Sequence, residues 1–238
     1  MILLSGYRRT DSSVRTRAAA VAVMTLLVAS VGAGCSDERD YAQATAVLVD
    51  ISGTYAEQKG EVVRFVKTGI LPDLLPGDSL FLLTIDDLSY EQGNVVTSMK
   101  LDMRPSMANT QKLALASDLD AFARSRQSAR HTDIRGAMMM ASELLKETGA
   151  RHQNIVVFSD LVEELPSGAR REFASGEFEN MSIMAMNVKK LGPDNRDPSR
   201  YRKRLALWEQ RVRDNGAVDW QVIVSPMKLV DVLAAKRG

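Results

Sequence analysis

The chain has 238 residues, of which 45% are apolar and 26% are charged, so it can bury one good hydrophobic core and is short for two full domains. Its formal net charge of +1, from 31 basic and 30 acidic side chains, argues against a protein that mainly coats nucleic acid. The sequence contains one cysteine, Cys35. This count excludes an intrachain disulfide and the four-cysteine zinc sites, so a metal would need oxygen or imidazole ligands.

Residues 1–34 have the order of a secretory signal. Scattered arginines precede an uncharged apolar run at 18–31, which is shorter than the roughly 20 residues that span a bilayer. Small residues then lead into Cys35, a pattern that resembles the lipobox of bacterial lipoproteins. We therefore predict an exported protein of the bacterial cell envelope, lipid-anchored to a membrane through Cys35 and facing the periplasm or the cell exterior. Cleavage after Ala33 by an ordinary signal peptidase is the alternative.

Removal of this segment changes the charge of the protein. Four arginines and one aspartate precede Cys35, a net +3, so the remaining chain carries a formal charge of −2. Residues 35–43 are predicted to form a polar tether that begins with the lipidated cysteine, and residues 44–238 the folded domain.

Six short β-prone runs alternate with helical patterns in this domain. Strands are predicted at 44–49, 79–85, 94–101, 154–158, 182–188 and 220–224, and helices at 54–69, 110–126, 133–148, 198–215 and 227–236. The short turn at 91–94 implies an antiparallel hairpin. The pattern predicts a doubly wound α/β fold: a mostly parallel six-stranded sheet with one antiparallel edge strand and helices on both faces.

Polar residues cluster where the carboxyl ends of these strands are expected, the edge at which such sheets bind ligands. Asp50, Ser52 and Thr54 alternate after the first strand, so in an extended loop they would point to the same side. Thr132 precedes a helix, and Asp160 follows the fourth strand. Carboxylates and hydroxyls form a hard oxygen set that suits Mg²⁺ or Mn²⁺ and not zinc.

This arrangement resembles the metal-ion-dependent adhesion site (MIDAS) of the von Willebrand factor A (VWA) family. The family's Asp-x-Ser-x-Ser motif is similar to residues 50–54, with threonine in the last position. Its lone threonine ahead of a helix matches Thr132, and its strand-end aspartate matches Asp160. The resemblance spans roughly residues 44–225. The sequence departs from the family at Leu161, where glycine is usual.

The resemblance implies a Rossmann-like VWA fold and a binding function. Ser52, Thr54 and Thr132 would contact the ion, and Asp50 and Asp160 would act directly or through waters. An Asp or Glu carboxylate of a partner protein would complete the octahedron. The implied protein is a membrane-anchored, cation-dependent interaction module and not an enzyme, with no nucleic acid among its partners.

Two alternatives stay open from the sequence. Residues 47–54 also resemble the first motif of haloacid-dehalogenase-type phosphatases, with Asp50 as the nucleophile, although Ser52 stands where those enzymes need an acid. The second alternative is a metal-free VWA scaffold in which Ser52 and Thr54 cap a helix.

The run at 196–204 is strongly basic. A solvated helix start is its simplest interpretation, and contact with anionic lipid headgroups is the alternative.

Overall fold

The computed structural model describes residues 41–186 and 192–237, which belong to one compact unit spanning Arg39–Gly238. The predicted signal segment, Cys35 and most of the tether lie outside the described residues. Among the residues that are described, no helix is long and apolar enough to cross a membrane.

Six strands form a single sheet. They are β1 (Gln43–Asp50), β2 (Ser79–Ile85), β3 (Val95–Lys100), β4 (His152–Phe158), β5 (Met181–Met186) and β6 (Asp219–Ile223). Their spatial order is β3-β2-β1-β4-β5-β6, and every neighbouring pair is parallel except β2 with β3. The doubly wound sheet with one antiparallel edge strand is therefore confirmed, and the predicted bounds of β2 match the structure.

Helices connect the strands. They are α1 (Lys59–Phe65), α2 (Leu71–Asp73), α3 (Pro105–Arg124), α4 (Ile134–Thr148), α5 (Gly192–Arg196), α6 (Pro198–Asp214) and α7 (Pro226–Ala235). The single helix predicted at 54–69 is instead a composite, with a 3₁₀ helix at Gly53–Gln58 before α1 and a π-helix at Val66–Ile70 after it. Helix α3 starts earlier than predicted, because Pro105 suits the first helical turn, where no N–H partner is needed.

Two hydrophobic cores lie on opposite faces of the sheet. Alternate residues of β1 point to each face, so Ala46 and Leu48 join one core and Val47 and Val49 the other. Helices α4 and α6 cover the first face, and α1, α3 and α7 cover the second. Because β1 is central and buried along its whole length, the residues that follow it emerge at the middle of the carboxyl edge.

Candidate functional site

Asp50 is the last residue of β1 and only 1% exposed. Its Oδ1 accepts hydrogen bonds from the backbone N–H of Ser52 at 2.9 Å and from the Ser52 hydroxyl at 2.5 Å. Its Oδ2 accepts a 2.8 Å hydrogen bond from the hydroxyl of Ser159, at the end of the neighbouring β4. These three bonds fix the orientation of the carboxylate, since both oxygens are engaged.

Thr132 reaches the same place from another loop. Its hydroxyl donates to the Ser52 Oγ over 2.8 Å, which extends the chain of hydrogen bonds to Asp50, Ser52 and Thr132. Its backbone exchanges two hydrogen bonds with Glu164, while Ala129 N–H donates to the carbonyl of Ile51. The loop that carries Thr132 is thus held between the loop after β1 and the loop after β4.

Asp160 follows β4, and Leu161 determines how the loop leaves it. Leu161 has φ of 62°, a left-handed conformation that costs a non-glycine residue about 1–2 kcal/mol. Leu161 therefore has a backbone conformation that is typical of glycine, the residue that VWA domains usually have at this position. Leu161 is held there because its side chain is buried and its carbonyl accepts a 2.9 Å hydrogen bond from the indole of Trp208.

Burial leaves the two carboxyl groups poorly solvated. Desolvation raises the pKa of Asp50 above its usual value, although hydrogen bonds from Ser52 and Ser159 oppose the shift and the charge of Asp160 adds to it. Desolvation also raises the pKa of Asp160, against the attraction of Arg204. Burial, with the charges of Asp160 and Asp50, raises the pKa of Tyr55 as well. Asp160 therefore lies close enough to Asp50 for its negative charge to raise the pKa of Asp50.

The donor set fits a hard divalent cation. Within residues 41–186 and 192–237, no three His, Cys, Asp or Glu side chains group into a metal centre by themselves. The carboxylate of Asp50 and the hydroxyls of Ser52 and Thr132 are joined by hydrogen bonds, and Asp160 is near enough to act on Asp50, a set of oxygen ligands that Mg²⁺ and Mn²⁺ accept together with water. A cation would also offset the desolvation of the two carboxylates, since a bound ion is the largest local charge.

The structure brings most of the predicted site residues together. Asp50, Ser52 and Thr132 are joined by hydrogen bonds, and Asp160 lies near enough to act on the charge of Asp50. The backbone of Thr54 lies in the 3₁₀ helix after β1, and its side chain is outside the described part of the structure. That the five predicted residues act as metal ligands stays a prediction.

Sequence reasoning missed the residues that support the site. Asp133 caps α4 through Gly136 N–H and also binds Arg171, far along the chain. Asp87, which follows β2, accepts hydrogen bonds from the backbone N–H groups of Arg130 and His131. An aspartate directly before a helix is a recognisable cap signal, but the contact with Arg171 has no local signature.

The raised pKa of Asp160 predicts a stability change with pH. A carboxyl group whose pKa is higher in the folded than in the unfolded state destabilises the ion-free protein above that pKa, and this penalty disappears as pH falls below about 3.8. We expect Asp160→Asn, which keeps the acceptor for Val162 N–H, to be more stable than the wild type at pH 7 in EDTA and equally stable near pH 3.5. Urea denaturation at both pH values measures this. Equal stability at pH 7 would contradict it.

No protein-family model matches the chain, and no curated protein matches it.

Solved structures similar to the chain are distant. They include an aerotolerance-related membrane protein from Bacteroides fragilis (10% identity, TM-score 0.44, covering 82% of this chain and 98% of that one). A von Willebrand factor type A structure from Catenulispora acidiphila has 9% identity and TM-score 0.44, covering 82% and 42%. Manganese-loaded TRAP protein from Plasmodium vivax has 13% identity and TM-score 0.42, covering 82% and 72%. At these values the likeness concerns general fold alone.

The sheet of this chain agrees with the fold predicted from the sequence. Six strands, one antiparallel pair at the β3 edge and helices on both faces are the arrangement that the resemblance implies. The described part of the chain has a Rossmann-like α/β fold, which matches the fold expected from the resemblance to von Willebrand factor A-type domains.

Proposed function

We propose that the protein is an interaction module that binds Mg²⁺ or Mn²⁺ at the carboxyl edge of its sheet and, through that ion, a carboxylate of a partner protein. Asp50, Ser52, Thr54, Thr132 and Asp160 would hold the ion. When bound, the cation supplies a positive centre with an open position for an anionic ligand.

One observation carries this proposal. Asp50 is buried, its carboxylate is oriented by Ser52 and Ser159, and the negative charge of the partly exposed Asp160 acts on it. A buried carboxylate with a second carboxylate nearby is costly to ionise unless a positive charge offsets the two. Local turn bonds involve both carboxylates, Asp50 with Ser52 N–H and Asp160 with Val162 N–H, but they do not account for the hydroxyl of Thr132, which reaches Ser52 from a distant loop.

Different residues orient the two carboxylates of the candidate site. Ser159 and the backbone of Ser52 orient Asp50, and the Ser52 and Thr132 hydroxyls lie 2.8 Å apart. The loop from Leu161 onward determines where Asp160 lies. Because these groups are held before any ligand arrives, little ordering would be needed on binding.

The cellular setting belongs to the same proposal. Export and attachment to a membrane through a lipid on Cys35 would place the domain in the cell envelope, with a partner protein in the same compartment. The support is the order of arginines, apolar run, small residues and cysteine at residues 8–35.

Calorimetric titration of Mg²⁺ and of Mn²⁺ into the purified protein tests the ion site. We expect saturable binding that is lost in Asp50→Ala, because the central carboxylate is removed, and kept in Asp231→Ala, which removes an exposed aspartate of α7. Absence of binding in the wild type would contradict the proposal and favour a metal-free scaffold. Hydrolysis of a generic phosphatase substrate that depends on Asp50 would favour the phosphatase alternative.

A further inference from the structure

The start of α6 and the residues just before it form an exposed basic surface, defined here by Arg196, Arg200, Arg202 and Lys203. All four side chains are exposed, and Asp197 is the one acidic residue between positions 196 and 203. Asp197 is occupied as the cap of α6, accepting a 3.0 Å hydrogen bond from Ser199 N–H.

The basic surface lies at the same edge of the sheet as the candidate metal site. Helix α6 connects the carboxyl end of β5 to the amino end of the parallel β6, so its first turns are at the carboxyl edge. Trp208 fastens the helix to the loop after Asp160 by its bond to Leu161. Arg204, one turn after Arg200, pairs with the buried Asp194 at 2.8 Å and acts electrostatically on Asp160.

One of these cations, Arg200, is unfavourable for the helix itself. The amino end of a helix carries a partial positive charge, and a cation in the first turn, where Arg200 lies, loses about 0.3–1 kcal/mol relative to a neutral residue. Within the described residues, none of the four basic side chains forms an ion pair with a carboxylate. Hydrogen bonds from Ser199 lower the pKa of Asp197, and the attraction of Lys203 and Arg200 lowers it further. The exposed basic side chains leave the rest of their positive potential open to an anionic ligand.

The surrounding charge makes the surface local. The whole chain has a formal net charge of +1, and residues 1–34 carry +3. The chain after residue 34 therefore has a formal net charge of −2. A basic surface on an acidic body attracts anions at one place instead of everywhere. Its neighbour is a site that is itself proposed to bind a carboxylate.

We propose that the basic surface binds an acidic segment of the same partner protein whose carboxylate completes the candidate metal site. The inference rests on the proposed function and specifies the partner: a segment with several Asp or Glu residues, one on the ion and others against Arg200 and Lys203. A membrane is the less fitting occupant, because β1, the first described strand after the proposed lipid anchor at Cys35, begins at the opposite edge of the sheet.

Fluorescence anisotropy with a labelled oligoglutamate peptide, titrated with the purified protein in Mg²⁺, tests this inference. We expect Lys203→Glu to weaken binding about fivefold, because an exposed attractive charge becomes repulsive. The matched control is Lys100→Glu, an exposed lysine at the end of β3 on the amino edge, and it should change binding less than twofold. Circular dichroism checks that both variants are folded.

The outcomes separate this inference from the proposed function. If calorimetry finds no ion binding but Lys203→Glu still weakens the peptide complex, the proposed metal site is wrong and the proposed role of the basic surface is supported. If Lys203→Glu and Lys100→Glu change the peptide affinity equally, the proposed role of the basic surface is wrong, and the proposed metal site is not affected. Binding to phosphatidylglycerol vesicles that is lost in Lys203→Glu, with no binding of oligoglutamate, would overturn this inference in favour of a lipid surface.

Discussion

Replacing Asp133 by alanine is expected to lower the free energy of unfolding by about 3–5 kcal/mol. The change removes the carboxylate to which two buried N–H groups and Arg171 are bonded, and leaves these groups without an acceptor. The Asp133 carboxylate is fully buried and accepts hydrogen bonds from Gly136 N–H at 2.8 Å, Ser89 N–H at 3.1 Å and Arg171 Nε at 3.0 Å. It therefore caps α4 and connects two loops at once. Any side chain at position 136 would collide with it, which explains the glycine there.

Urea denaturation of the wild type and of Asp133→Ala measures the effect, and Glu147→Ala is the matched control. Glu147 is an exposed acid on the same helix, so its replacement should change stability by no more than about 0.5 kcal/mol. Asp133→Asn keeps one oxygen acceptor, enough for Gly136 N–H or for Ser89 N–H but not for both, and loses the charge opposite Arg171, so an intermediate loss is expected. A loss in Asp133→Ala as small as that in Glu147→Ala would show that the buried pair adds little stability.

Replacing Trp208 is expected to affect both the core and the ion site. Trp208 is 2% exposed, and truncating a buried tryptophan to alanine costs about 3–5 kcal/mol. The more informative change is Trp208→Phe, which keeps an aromatic ring and removes the hydrogen bond to Leu161. Without that bond, Leu161 is freer to leave its left-handed conformation, and Asp160 moves with it. We expect Mg²⁺ affinity to fall about tenfold, as for other groups that orient a metal ligand.

Trp220→Phe is the control for this prediction. Trp220 lies in β6, is 7% exposed and belongs to the same hydrophobic core, but it has no contact with the loop of Asp160 among the hydrogen bonds of the described residues. Both variants should lose stability in urea, and calorimetry should show weaker Mg²⁺ binding in Trp208→Phe alone. Equal ion affinity in the two variants would mean that the Leu161 conformation does not depend on the indole.

The central strands were predictable because β1, β2 and β5 are short, mostly apolar runs that are buried along their whole length. The run of β2 is bounded by Asp78 and Asp86, and the turn before β3 specified an antiparallel pair. The alternation of Asp50 and Ser52 also predicted that they would meet, since local geometry alone decides it.

Long-range contacts account for what the sequence did not reveal. The left-handed Leu161 depends on Trp208, 47 positions later, and the charge of Asp133 is matched by Arg171, 38 positions later. Periodicity carries no information about such partners. The 3₁₀ and π-helical segments around α1 likewise keep Val62, Val66 and Ile70 in the core, so the apolar pattern looks like that of one continuous α-helix.

The central position of β1 has a mechanical consequence. With an anchor at Cys35, as proposed, and a partner held at Asp50, tension between cell and partner would run along β1 from one end to the other. This strand pairs in parallel through seven residues with β2 and seven with β4, so the load would act in shear on both ladders together and not open them one bond at a time. Rupture under force depends on the unfolding rate. Because β1 is hydrogen-bonded to a strand on each side, we expect its unfolding under such a load to be slow.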